Sequence, residues 1–127
     1  MDKVTDFQIP ADDKERAKKF YGSVFGWKTN DVPGVDYTGL ITADTDENSN
    51  RPKEPGAING GMMKRGGALK SPTVTITVED IDKALEKVVK AGGKVAKEKD
   101  KVMDMGYVAW FEDTEGNVLG LWQYIKK

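Results

Sequence analysis

Residues 7–27 read FQIPADDKERAKKFYGSVFGW, and this stretch decides the fold. Phe7 and Ile9 alternate with Asp6 and Gln8, which is the two-residue period of a strand with one apolar face. Asp12 followed by Glu15 has the spacing of a capping box, with Asp in the place of Ser or Thr. Ala17, Phe20, Tyr21, Val24 and Phe25 then fall at i, i+3, i+4, i+7 and i+8, one apolar stripe along a helix. The stripe predicts a helix held on a sheet, and Gly26 is placed to end it in a left-handed conformation. On this reading Phe20 is a core residue, and Phe20→Ala would cost about 3–5 kcal/mol.

The stretch recurs in altered form at residues 74–95, VTITVEDIDKALEKVVKAGGKV. A shift of 67 positions lays Phe7 on Val74, Ile9 on Ile76, Asp13 on Asp80, Ala17 on Ala84, Tyr21 on Val88 and Gly26 on Gly93. Two copies of one supersecondary unit describe a duplicated half-domain, whereas a solenoid needs many short repeats.

Outward from these two stretches the pattern is strand-rich. Strands are expected at 27–30, 37–43 and 56–64 after the first helix. Further strands are expected at 73–78, before the second helix, and at 94–103, 107–112 and 118–124 after it. Asp80 caps the second helix, whose stripe is Ile81, Ala84, Leu85 and Val88. Residues 44–55, DTDENSNRPKEP, carry no apolar side chain apart from two prolines and read as a solvated loop or lid. Gly60-Gly61 inside a strand signals a bulge or the close approach of another group. The lysine-rich strand at 94–103 suits an exposed sheet edge. The order is β-α-β-β-β twice: one α+β domain over 1–127, made of modules 1–64 and 73–127 joined by a linker at 65–72.

Composition removes several classes of function. Lys and Arg total 20 and Asp and Glu total 21, a net charge of −1, so nothing electrostatic favours nucleic acid or an anionic membrane as partner. No apolar run approaches the roughly 20 residues that span a bilayer. The opening MDKVTDF lacks signal-peptide architecture, and the expected location is the cytoplasm. The chain has no Cys and no His. Any metal would therefore need oxygen ligands, and any acid–base work would fall to Asp, Glu, Lys or Tyr.

Three blocks, FQIPADDKERAKKFYGSVFGW, VEDIDKALEKVVKAGGKV and FEDTEGNVLGLWQ, resemble the vicinal-oxygen-chelate superfamily, the group of glyoxalases, bleomycin-resistance proteins and extradiol dioxygenases. The resemblance spans nearly the whole chain, with the blocks in the family's order. It implies two paired βαβββ modules forming a curved mixed sheet, with a concave cleft and helices on the outer face. It also implies a homodimer.

Enzymes of the family bind a divalent metal from four strand positions. The resemblance carries these onto Asp6, Asn59 (or Gly60 if the strand register slips), Thr73 and Gly120. One carboxylate, an amide, a hydroxyl and a glycine make a poor donor set, so no metal and no other cofactor is expected. Asp6 is then a solvated or hydrogen-bonded acid, and it is the one weak candidate for a catalytic group.

Strand parity gives the face its other residues. The five-residue loop at 113–117 pairs Glu112 with Val118 and Trp110 with Gly120. Leu119, Leu121 and Phe111 then face a helix. Trp110 is expected to lie over Gly120, in space that a family Glu would occupy. The expected ligand-binding cleft comprises Asp6, Gln8, Asn59, Thr73, Thr75, Trp110, Gly120 and Trp122, with Thr77 on the same face; Met62, Met63, Met103 and Met105 are candidate adaptable lining.

The reading that follows is a metal-independent protein that binds a small amphipathic or aromatic molecule and forms a homodimer, with no nucleic acid or membrane partner. The alternatives are a lyase or isomerase related to lactoylglutathione lyase, and a dimeric interaction module without ligand.

Overall fold

A computed structural model describes residues 1–125 of the chain; the last two positions of the expected module 73–127 lie outside the described residues. Two compact units emerge, one of Asp6–Pro72 and one of Met1–Thr5 with the chain from Thr73 onward. Each combines strands with one helix, so the α+β class holds.

In the Asp6–Pro72 unit, β1 (Lys3–Ala11, from Asp6 on) is followed by α1 (Lys14–Phe25), β2 (Lys28–Asp31) and β3 (Thr38–Ile41). A small ribbon follows, β4 (Thr45–Asp46) with β5 (Arg51–Pro52), and then β6 (Asn59–Lys64). The sheet order is β2-β3-β6-β1, with β6 parallel to β1 and the other pairs antiparallel. In the second unit, β7 (Thr73–Thr77), α2 (Ile81–Lys90), β8 (Lys94–Val102), β9 (Gly106–Glu112) and β10 (Val118–Tyr124) give the order β7-β10-β9-β8. Here too the last strand is parallel to the first and the rest are antiparallel. The duplication seen in sequence is thus a duplication of topology. β8 is an exposed edge strand.

The helix ends follow local chemistry. Asp13 and Asp80 are the N-caps, accepting hydrogen bonds from the backbone N–H of Arg16 and Lys83 at 3.0 and 3.1 Å. Asp12 is therefore not part of a capping box; its carboxylate pairs with Arg65 at 3.0 Å. Gly26 closes α1 at φ 74°, with its N–H bonded to the Gly22 carbonyl, as expected.

The packing of α1 corrects the expectation drawn from its stripe. In the second unit α2 buries Ile81 and Leu85 against Val78, Ala109 and Leu121. The matching positions of α1, under the 67-residue shift, are Lys14 and Lys18. Their stems are largely covered, while their ammonium groups reach out to Asp36 at 3.0 Å and to Asp31 and Glu15 at 2.9 and 3.1 Å. No residue of α1 is fully buried. Phe20, Val24 and Phe25 are 55, 55 and 60% exposed, so Phe20 is not a core residue. The core of this unit is Ala11, Leu40 and Met62, with Phe7, Ile9, Ala17 and Trp27 packed on it. Met62, expected as cleft lining, is thus a core side chain.

Residues 44–55 are also more ordered than a solvated loop. Asp46 accepts from the N–H groups of Asn48 and Ser49, Asn50 takes a left-handed φ of 57°, and β4 pairs with β5. The Asx turn supplies the order that apolar side chains do not. Among the described residues no helix is long and apolar enough to cross a membrane.

Candidate functional site

In the second unit the expected residues converge on Gly120. Gly120 lies opposite Trp110 on the antiparallel side and Thr75 on the parallel side. A Cβ at Gly120 would meet Thr75 Oγ1 at 2.9 Å and the Trp110 ring carbons Cζ3 and Cε3 at 3.3 and 3.5 Å. The six-membered ring of Trp110 thus lies over the glycine, at the register the loop length predicts. Trp110, Thr75 and Gly120 are buried, so this part of the face is filled by its own side chains. Thr73 donates from Oγ1 to the Val118 carbonyl at 2.7 Å, tying the start of β7 to the start of β10. Thr77 and Thr5 share a hydrogen bond of 2.7 Å between hydroxyls.

Trp122 sits two residues further along the same face and remains half-buried. Its indole covers Gly106, where an added Cβ would meet Cζ2 at 2.5 Å, and it meets Tyr124 edge-to-face with ring centroids 5.7 Å apart. Tyr124, Met103 and Met105 are exposed, and the two methionines line a shallow surface depression with Lys101 and Asp104. Lys99 lies 4.9 Å above the Tyr107 ring on the β8–β9 pair.

In the Asp6–Pro72 unit, Asp6 is paired with Asn59 and Gln8 with Gly61 in the parallel register of β1 and β6. This fixes Asn59, not Gly60, as the partner of Asp6. The Asn59 carboxamide is committed on both sides. Its Oδ1 accepts from the Thr42 N–H at 2.9 Å, and its Nδ2 donates to Thr45 Oγ1 at 2.8 Å. Gln8 is buried.

Tyr37 was not singled out by the sequence: its ring stands over Gly61, where an added side chain would collide with it. Phe7 occupies the opposite side, over Gly60. The Gly60-Gly61 signal of close approach was therefore legible, but the identity of the approaching rings was not. Next to Tyr37, the fully buried Thr38 donates to Asp31 Oδ1 at 2.7 Å. That bond, then the Lys18 ammonium, holds the Asp31 carboxyl below its ordinary pKa.

The βαβββ unit occurs twice, and each copy carries a strand glycine covered by an aromatic ring, which makes this a small α+β protein of duplicated modules. The chain belongs to the glyoxalase/bleomycin resistance protein/dioxygenase superfamily, whose model matches residues 3–121. A Mycobacterium bovis protein described as "Putative glyoxylase CFP32" is 32% identical over 87% of this chain and 41% of its own length. The chain thus spans less than half of that relative. A "Glyoxylase-like domain-containing protein" of Didymella fabae is 34% identical over 90% of this chain and 88% of its own. Among solved structures, a glyoxalase/bleomycin resistance protein/dioxygenase superfamily member from Vibrio splendidus 12B01 is similar in fold. Its TM-score is 0.60 at 14% identity, covering 98% of this chain and 100% of that one.

Proposed function

We propose that this chain is a metal-independent member of its superfamily that binds a small amphipathic or aromatic molecule. The observation that carries the reading is the Trp110 ring on Gly120: the position brings no donor atom and its space is taken. The other family positions support it. Thr73 spends its hydroxyl proton on a backbone carbonyl, and Asn59 is bonded through both ends of its amide. Asp6 alone among the four offers a carboxylate, and a catalytic divalent ion needs three or more protein ligands. The residues present do not fit such an ion. For a ligand, the half-buried Trp122 and the exposed Tyr124, Met103 and Met105 supply aromatic and thioether surface, with the Lys101–Asp104 ion pair at 3.9 Å beside the methionines.

The test is metal content per chain after purification with Zn, Ni, Mn and Fe supplied, followed by quenching of tryptophan fluorescence with a panel of small aromatic compounds. Metal well below one ion per chain together with saturable quenching is the expected pair of results. A stoichiometric metal would refute the reading and direct assays toward lyase and isomerase chemistry, with Asp6→Asn as the first variant.

A second reading, an interaction module without ligand, is favoured by one observation: Gln8, Thr75 and Trp110, all expected to face a ligand, are buried. The absence of any saturable quenching would select it.

A further inference from the structure

We infer that the aromatic flank of α1 is an interface for a second copy of this chain. The duplication supplies the internal control. Under the 67-residue shift Phe20, Val24 and Phe25 fall on Lys87, Ala91 and Gly92, all exposed positions at the end of α2. The same helix flank is thus polar or small in one module and carries two phenylalanines and a valine in the other. Those three side chains contribute little to their own core, being more than half exposed.

They are nonetheless one continuous surface, not scattered residues. Phe20 touches Tyr21 edge-to-face at 5.2 Å between centroids. Tyr21 stacks on Trp27 at 4.9 Å and lies 6.4 Å from Phe25, and Phe25 reaches Trp27 at 5.7 Å. Contiguous apolar patches of this kind mark contact surfaces.

Size and chemistry point to a copy of the same chain. Each half-exposed phenylalanine leaves roughly 100 Å² uncovered and the valine somewhat less, about 300 Å² together. Closed on its own image, the patch removes about 600 Å² of apolar surface. With apolar atoms near 60% of an interface, that corresponds to a total of about 1,000 Å², the lower bound for a specific contact. The partly buried Tyr21 and Trp27 at its margin add what surface they leave uncovered. Aromatic on aromatic is self-complementary, as a two-fold contact requires. Antiparallel pairing of two α1 copies would also oppose their dipoles.

Sedimentation velocity decides it, on the wild type, on Phe20→Asp with Phe25→Asp, on the charge-free pair Phe20→Ser with Phe25→Ser, and on Val89→Asp. Val89 is 55% exposed on α2 and serves as the matched control. Circular dichroism confirms that each variant is folded. The expected result is a wild-type dimer, weakened about 30-fold or more by both α1 pairs and unaltered by Val89→Asp. A wild type that stays monomeric at about 100 μM, a dimer indifferent to both α1 pairs, or equal weakening by Val89→Asp would each overturn the inference.

Discussion

The six-membered ring of Trp110 lies over Gly120, close enough that a Cβ there would stand 3.3 Å from the ring and 2.9 Å from Thr75 Oγ1. Neither neighbour can retreat freely, since both are buried. Gly120→Ala is therefore an overpacking substitution and is expected to cost about 1–3 kcal/mol in urea denaturation. Gly120→Glu, which restores the residue type the family resemblance implies, must displace the indole and shift the tryptophan emission. An unchanged emission spectrum in folded Gly120→Glu would mean the ring is not held in place.

Asn59 makes a second prediction because its amide is a structural latch between β6 and the chain at Thr42 and Thr45. Asn59→Ala leaves the Thr42 N–H without its acceptor and releases the start of the β4–β5 ribbon. The expected loss is about 1–3 kcal/mol, measured with a chelator present so that no metal contributes. A loss below about 0.5 kcal/mol would show that the latch is dispensable and that Asn59 is available for another role.

α1 and β10 differ in how far the sequence alone sets their placement. The Trp110–Gly120 register was legible because a five-residue loop and a period of two leave strand pairing no freedom. The orientation of α1 was not, because a stripe of five apolar residues is wider than the face a sheet can cover, and periodicity alone does not say which flank stays outside. The missing information lay in the duplication: Lys14 stands where Ile81 is buried, and Phe20 stands where Lys87 is exposed. Leu85→Ala should accordingly cost about 2–5 kcal/mol, while Phe20→Ala in dilute protein should cost under about 1 kcal/mol. Comparable losses for the two would restore Phe20 to the core. The place of Tyr37 is illegible for a different reason: no pattern in sequence joins it to Gly61 across the sheet.

The last prediction concerns acid. Asp31 accepts a hydrogen bond from the buried Thr38 hydroxyl and pairs with Lys18 at 2.9 Å, and these partners, in that order, depress its carboxyl pKa in the fold. A carboxyl that is more acidic folded than unfolded binds fewer protons in the native state. Its contribution to stability is therefore complete above the unfolded value of about 4 and is lost as pH falls through the lower folded value. Asp113 is depressed in the same sense by the Asn117 backbone N–H and then the Asn117 side chain, so acid weakens both units. Asp31→Asn separates the two contributions, because it removes one and leaves the other. The stability gap between wild type and Asp31→Asn should be constant from about pH 5 to 8 and should narrow below about pH 4. A gap that stays constant through that acid range would place the native pKa of Asp31 at its unfolded value and show that the Thr38–Asp31–Lys18 bonds do not discriminate between its two protonation states.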